Sequence, residues 1–332
     1  MEGLYAASLK AGPLLVHAST GASIHKTSDN SNNADSSTNH VTRDSALRLF
    51  DVDANLTHEQ LRKDIVDLLT TASTKAHLKA CIVPGSDVED SKLALDFAVD
   101  EDLRKKSGVE VYSTFGVHPY NAKGTIIPER FFDDARRLLS ENGRVVAVGE
   151  TGLDISEGFP PLEEQLVWFR HQLDLACELQ KPLFLHERNA HEPFMQELMS
   201  RKERLPKKLL VHCFTGNEPE LRSYLDFGCY ISISGLICRA DKEGKRFKEV
   251  IKAVAPPSDR LMLETDAPYM QFPGCRRLAS DGAWKTFPNI PASIIQVAES
   301  VSKLLGRDLG SVGEDSFRTA EDFFGVQIKK EA

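Results

Sequence analysis

The sequence predicts an α/β protein, a (β/α)8 TIM barrel that follows a low-complexity N-terminal extension. Eight short apolar segments with strand character recur at a spacing of roughly 30 residues, the length of one strand–helix unit. Helix-like stretches lie between them, and several segments lead directly into a carboxylate or an imidazole. Because a parallel barrel gathers the C-terminal ends of its strands at one face, this order predicts a common polar site there.

The predicted strands are apolar segments that end near a glycine, a proline or a polar side chain. They span residues 46–52, 79–84, 109–115, 144–149, 182–186, 208–212, 229–234 and 260–265. In the clearest helix, residues 161–180, Leu166, Phe169 and Leu173 share one face at helical spacing. An open, doubly wound sheet is the alternative, but no G-x-G-x-x-G follows any strand. Further helices are predicted at 57–73, 90–99, 130–139, 218–227 and 292–305.

Composition divides the chain into two parts. Residues 1–45 include the run SDNSNNADSSTN and few bulky apolar residues, so they cannot bury enough surface to offset the entropy of ordering. We predict disorder in residues 1–45 and a barrel domain over residues 46–328. The longest apolar runs have about five or six residues, far below the roughly 20 that cross a bilayer, so we expect no membrane partner.

The six cysteines are scattered without a C-x-x-C pair, which favours reduced thiols in an intracellular protein over disulfides. We expect a cytoplasmic location, with the nucleus or a mitochondrion as alternatives, and no obligate protein partner. The net charge of −8, from 41 basic and 49 acidic residues, argues against a protein that grips nucleic acid by bulk charge. It is compatible with an enzyme that meets phosphates locally, through metal ions and a few arginines.

Three residues at predicted strand ends form a candidate set of metal ligands. Glu150 follows VVAVG, His186 follows PLFL, and His212 follows KLLV. Any one of them alone is more often structural, as a helix cap or a buried histidine. Two imidazoles and a carboxylate at equivalent ends of one barrel are the usual donor set for a hydrolytic divalent metal ion.

Further candidates surround this set. In LETDAPY, alternation places Glu264 and Asp266 on one side of the strand. Asp266, nearer the mouth, is predicted to be a general base or a metal ligand. Glu264 either supports it from behind or forms a salt bridge that closes the barrel. His118, after the third strand, would orient a phosphate or a metal-bound water, or simply cap a loop.

Three residues are predicted to contact substrate. Arg188 follows His186 closely enough to bind a phosphate oxygen at the same mouth. Thr215 and Gly216 follow His212 and allow a tight turn whose backbone N–H groups would meet an oxyanion.

In this order, the segments FGVHPY, VGETGLD, KPLFLHERNAH, VHCFTG and LETDAPY resemble the TatD family of metal-dependent deoxyribonucleases over about residues 48–325. The resemblance implies a TIM-type barrel that hydrolyses DNA phosphodiester bonds by 3′→5′ exonuclease or endonuclease action. We expect DNA as the substrate and one or two divalent ions as cofactor, with Mg²⁺ the first candidate and Mn²⁺ or Zn²⁺ next. The matching positions are Glu150, His186, His212 and Asp266 as ligands, with His118 and Glu264 supporting catalysis.

The start of the barrel departs from the family. Where many members have His-x-His, this chain has Asp51-Val52-Asp53, and alternation places both carboxylates on one side, where either would replace a missing ligand. Two other hypotheses stay open. In the first, the barrel hydrolyses another ester or an amide, such as an aminoacyl-tRNA. Enzymes of that kind have the same fold and the same metal ligands. A nucleic-acid-binding scaffold with a degenerate site would fit the altered first strand.

Overall fold

The computed structural model describes residues 47–279 and 287–329. The predicted low-complexity extension, residues 1–45, lies outside the described residues. Its disorder and the division of the chain at residue 46 therefore stay predictions.

Eight parallel strands form one sheet, in the order β1 to β8, within the described residues. Beyond β1, the Val52 N–H donates to the Leu263 carbonyl at 3.1 Å, so the last strand meets the first and the sheet closes. The predicted (β/α)8 barrel is confirmed. The strands are β1 Leu49–Asp51, β2 Leu78–Val83, β3 Glu110–Phe115, β4 Val145–Asp154, β5 Leu183–Arg188, β6 Leu209–Val211, β7 Tyr230–Ile233 and β8 Leu261–Leu263.

Helices connect the strands on the outside of the barrel. The predicted helix at 57–73 begins only at Ile65, because the chain after β1 first bonds to the segment after β8, where the Asn55 N–H donates to the Ala267 carbonyl. Four helices, α3, α6, α8 and α10, are additions to the predicted set. The described residues hold α1 Ile65–Ala76, α2 Val88–Val99, α3 Glu101–Ser107, α4 Glu129–Glu141, α5 Leu162–Leu179, α6 His191–Met199, α7 Glu218–Phe227, α8 Lys242–Val254, α9 Ile294–Leu305 and α10 Leu309–Phe324.

Helix α10 packs against the N-terminal end of the barrel. Phe317 lies 5.7 Å from Phe50 between ring centroids, and Phe323 lies 5.0 Å from Tyr230. These rings form one buried cluster with apolar side chains from inside the strands, such as Phe184. The interior of the barrel is therefore apolar at this end, which leaves the polar residues at the C-terminal end.

The packing of α10 predicts a large loss of stability for Phe323→Ala. The ring is fully buried, so its removal leaves a cavity and should lower the free energy of unfolding by about 3 kcal/mol. Urea unfolding measures the loss. Met199, 62% exposed on α6, provides the control, since Met199→Ala should change stability by less than about 0.5 kcal/mol. Equal losses in the two variants would refute the role given to α10.

Candidate metal centre

Strand β4 carries Glu150 in its interior. The prediction that this strand ends before Glu150 is wrong, because β4 continues to Asp154. Its pairing with β5 shifts register between Val148 and Thr151, and Glu150 lies within that irregular stretch. The irregularity turns the carboxylate toward the ends of β5 and β6.

Two glycines permit this course of β4. Gly149 and Gly152 have φ values of 139° and 154°, which L side chains rarely adopt. A Cβ atom at Gly149 would collide with the carbonyl oxygen of Phe184, and one at Gly152 with that of His186. The close approach of β4 to β5 therefore requires glycine on both sides of Glu150.

One carboxylate oxygen lies at the centre of three imidazoles. Glu150 Oε1 is 2.8 Å from His212 Nε2, 2.9 Å from His186 Nδ1 and 3.3 Å from His118 Nε2. Glu150 and His186 lie inside β4 and β5, and His212 directly follows β6, so only His212 has the strand-end position that was predicted, yet the three meet. His118 comes from the loop after β3. Its predicted role was to orient a phosphate or a metal-bound water, but it lies among the candidate ligands themselves.

In each of the three imidazole rings, the nitrogen that does not face Glu150 contacts another group. His186 Nε2 lies 3.0 Å from Asp154 Oδ2, and His212 Nδ1 lies 3.0 Å from Asp53 Oδ2. His118 Nδ1 accepts a hydrogen bond from the Tyr120 backbone N–H at 3.1 Å. Carboxylates behind metal-binding histidines fix the ring orientation and raise its basicity. Each ring therefore presents a defined nitrogen to the space around Glu150.

The charges in this cluster support one another. Burial alone would raise the pKa of Glu150, but the positive charges of His118 and His212 hold it well below its usual range. Burial would lower the pKa of His212, but the charge of Glu150 and the nearby Asp53 raise it well above normal. Burial also opposes ionisation of Asp154, yet the hydrogen bond to His186 lowers its pKa to about 2. The cluster thus exchanges protons for any cation that it binds.

The residues present fit a divalent cation. Two groups have donor atoms within 4.8 Å of one another, namely His118, Glu150 and His186, and Asp53, Glu150 and His212. Glu264 Oε1 is buried without a hydrogen-bond partner, and Asp53 Oδ2 has only its ion pair with His212 Nδ1. Buried polar atoms are costly when unpaired, and a cation would compensate the acidic ones. Glu150 belongs to both groups, which is compatible with one ion or with two.

The two acids of the first strand separate. Asp51 accepts hydrogen bonds from the Thr265 backbone N–H at 2.8 Å and from its hydroxyl at 2.6 Å, whereas Asp53 reaches His212. The two acids therefore have different partners, because β1 ends at Asp51 and the chain then leaves the strand. Asp53 lies beside the imidazole of His212, and Asp51 is hydrogen-bonded to Thr265, just after β8.

Asp266 and Glu264 lie beside the cluster. Asp266 accepts from Asn55 Nδ2 at 3.0 Å and from the Cys213 thiol at 3.4 Å, and it belongs to neither donor group. Burial raises its pKa to about 7, although the charge of His212 acts in the opposite direction. Glu264 accepts from the Ser232 hydroxyl at 2.6 Å and approaches His212 Nδ1 at 3.8 Å, which is a supporting position.

The three predicted substrate contacts occupy different surroundings. Arg188 ends β5, with one guanidinium nitrogen 3.9 Å from Cys213 Sγ, so it lies near Asp266. Thr215 and Gly216 precede Asn217, whose side chain caps α7. A Cβ atom at Gly216 would collide with the Glu220 carboxylate. The described contacts bring Arg188 toward the cluster and leave Thr215 and Gly216 as predictions.

Sequence reasoning assigned no role to Asp154, Asn55 or Cys213. Asp154 lies four residues after Glu150 in the same motif, so the motif itself carried a signal for it. Asn55 and Cys213 contact Asp266 only because loops after β1, β6 and β8 converge. Nothing local in the sequence indicates that meeting.

Comparison with known proteins places the chain in a family. The family model described as TatD related DNase matches residues 50–325. The 3′-5′ ssDNA/RNA exonuclease TatD of Erwinia tasmaniensis is 34% identical over 286 residues, which cover 84% of this chain and all of the relative. The TatD homolog YJJV of Escherichia coli K12 superposes with a TM-score of 0.71 at 25% identity, covering 85% of this chain and 99% of that one.

A barrel whose strand ends gather imidazoles and carboxylates defines the protein as a metal-dependent hydrolase. The chain belongs to the TatD family. An uncharacterized amidohydrolase from Saccharomyces cerevisiae, 23% identical with a TM-score of 0.70 over 84% of this chain and all of that one, shares the fold. None of the described helices combines the length and apolar character that crossing a lipid bilayer requires.

The geometry predicts that divalent cations stabilise the protein. At a free concentration 100 times the Kd, Mn²⁺ should raise the free energy of unfolding by about 2.7 kcal/mol and the Tm by roughly 5 °C, reversibly with EDTA. Asp154→Asn should weaken Mn²⁺ binding about 10–100-fold, since His186 loses its orienting partner. Differential scanning fluorimetry and calorimetric titration measure these effects.

Asp174→Asn is the matched control for this prediction. Asp174 is a half-exposed carboxylate that pairs with Arg201 on the outer surface. Its loss should leave the Mn²⁺ affinity unchanged. An affinity unchanged in Asp154→Asn as well would refute the arrangement described here.

Proposed function

We propose that this protein is a metal-dependent nuclease that hydrolyses phosphodiester bonds of DNA, acting as a 3′→5′ exonuclease. The observation that carries the proposal is the position of Glu150 Oε1 within 3.3 Å of three imidazole nitrogens. Membership of the TatD family and the activity named for its Erwinia relative select phosphodiesters among the bonds that such a site hydrolyses. Endonuclease action is the second outcome that the assay below distinguishes.

His118, Glu150, His186, His212 and Asp53 are the residues that would hold the cation. When bound, a divalent cation polarises a phosphoryl oxygen and lowers the pKa of water. Three imidazoles in the donor set are a reason to test Mn²⁺ and Zn²⁺ beside the Mg²⁺ first expected, because imidazole nitrogen is a better ligand for those ions. Glu150, shared by both donor groups, supports a site for one or two ions.

Asp266 is proposed as the general base. Its carboxylate is held by Asn55 and by the Cys213 thiol, so it has a fixed orientation next to the cluster. Burial and the surrounding acids raise its pKa to about 7, so its ionised form is a stronger base than an ordinary carboxylate and can accept a proton from the attacking water. A direct contact between Asp266 and the cation stays the alternative role from the sequence.

Arg188 is proposed to bind the substrate phosphate. Its guanidinium lies beside Cys213, on the side of the site that Asp266 occupies. A guanidinium donates paired hydrogen bonds to phosphate oxygens and meets the charge that develops on them. The proposed backbone contacts from Thr215 and Gly216 would add donors on the β6 side.

An intracellular location fits the chemistry of the cysteines. All six, which lie within the described residues, are free thiols, and four of them, Cys81, Cys213, Cys229 and Cys275, are buried. Reduced thiols are the norm in cytoplasm and nucleus. A location in the cytoplasm remains our first proposal, with nucleus and mitochondrion as alternatives, and no protein partner is required by the site.

Removal of Glu150 should abolish activity while the fold persists. Glu150→Ala and His212→Ala, assayed with a 5′-labelled oligodeoxynucleotide and Mg²⁺ or Mn²⁺, should fall to the background of the assay. Circular dichroism checks the fold. Asp174→Asn should keep wild-type activity. Full activity in Glu150→Ala, or turnover of an aminoacyl ester and not of DNA by the wild-type protein, would contradict the proposal.

Asp266→Asn should lower kcat on the same oligonucleotide about 10²–10⁴-fold, because the water loses its proton acceptor. The cation should still bind, since Asp266 lies outside both donor groups. Activity of the wild-type protein should decrease as the pH falls through the pKa of Asp266 and the base becomes protonated. A variant that loses Mn²⁺ binding together with activity would identify Asp266 as a ligand instead.

A further inference from the structure

Two aromatic side chains form a ledge beside the metal centre. Tyr120 follows His118 in the loop after β3, and Phe159 lies in the loop after β4. The Phe159 ring is 6.0 Å from the His118 ring and 5.6 Å from the Tyr120 ring between centroids. Since His118 Nε2 lies 3.3 Å from Glu150 Oε1, the ledge of Tyr120 and Phe159 directly borders the candidate ligands.

The ledge is partly open to solvent. Tyr120 and Phe159 are half-buried, and Ile155, in the same loop as Phe159, is 49% exposed. Single apolar side chains at a surface are normal, but adjoining ones such as these two rings are typical of a surface that binds a ligand. The ledge therefore offers an apolar surface to a ligand that reaches the cation site.

A cation accompanies the two rings. Lys123 Nζ lies 5.5 Å from the centroid of the Tyr120 ring. The loop that carries Lys123 is anchored, because the indole N–H of Trp168 donates to the Lys123 carbonyl at 3.2 Å and the Gly124 N–H donates to the Glu164 carboxylate. An aromatic surface with an ammonium group beside it matches a nucleotide, whose base stacks on rings and whose phosphate attracts a cation.

We propose that Tyr120 and Phe159 stack the unpaired base next to the scissile phosphate, with Lys123 near an adjacent phosphate, and that this ledge selects single-stranded ends. The inference rests on the proposed nuclease function and assigns substrate selection to residues outside the metal centre. In a duplex the same base is paired and stacked on its neighbours, and its release costs a few kcal/mol. A blunt duplex end would therefore use the ledge only after fraying.

The test compares two single-stranded oligodeoxynucleotides with a 5′ fluorescent label, one normal and one with abasic residues at its last two 3′ positions. Wild-type protein with Mn²⁺ should cleave the normal end with a kcat/KM about tenfold higher, the size expected from stacking of one base. Tyr120→Ala/Phe159→Ala should lose that advantage on the normal end and cleave the abasic end at the wild-type rate. Phe159→Trp should retain the preference.

Phe227→Ala is the matched control. Phe227 is also a half-buried ring with a lysine near it, Lys202 at 5.9 Å, but it ends α7 at the opposite end of the barrel. Its substitution should leave both rates unchanged. Equal losses on the normal and abasic ends in Tyr120→Ala/Phe159→Ala would show that the rings only support the fold, and this would overturn the inference.

If the nuclease proposal itself is wrong, the cleavage assay gives a different result from a failure of the ledge alone. Wild-type protein would then cleave neither oligonucleotide with any of the three metal ions. Fluorescence anisotropy of the same two oligonucleotides would still decide the role of the ledge. Tighter binding of the normal strand that is lost in Tyr120→Ala/Phe159→Ala supports it, and equal binding of both strands refutes it.

Discussion

The buried carboxylate of Glu150 is the constraint on which the catalytic end of the barrel depends. A buried charge is strongly unfavourable unless it is paired, and here one oxygen meets three imidazole nitrogens within 3.3 Å. That meeting requires β4 to bend between two glycines, and it requires the ends of β3, β5 and β6 to lie at the same height. The carboxylates behind His186 and His212 then fix the rings. The irregular stretch of β4 thus places Glu150 among the three imidazoles.

The two ends of the barrel differ in the side chains that fill them, apolar at the N-terminal end and polar at the C-terminal end. At the N-terminal end the interior is filled by apolar side chains and covered by the aromatic face of α10. At the C-terminal end the interior holds acids and histidines, several of them with unpaired atoms. Such atoms weaken the protein unless a ligand compensates them, so the apolar end must supply the stability that the polar end lacks. The same strands serve both ends because alternate side chains point inward along their whole length.

Substrate recognition has to be local in this protein. The net charge is −8, and four acids, Asp53, Glu150, Glu264 and Asp266, lie around the site proposed to bind the phosphate. In the proposed function, cations bound at this site would offset the repulsion between these acids and a polyanion and would attract its phosphate. Arg188 and Lys123 add positive charge at the border. The proposed stacking contacts with the bases, which carry no charge, would add affinity that salt does not screen.

The sequence by itself determined the barrel and three candidate ligands in or just after its strands, because strand spacing and strand polarity are local patterns. Glu150, His186 and His212 follow from those patterns and do meet in space. Only the tertiary structure decided the roles of Asp53, Asp154 and His118. Asp53 and Asp51 differ by two residues in the sequence, yet the chain bends between them and sends one to His212 and the other to Thr265. Likewise, the neighbours of Asp266 come from distant loops that converge only when the barrel closes, and no local pattern encodes a contact of that kind.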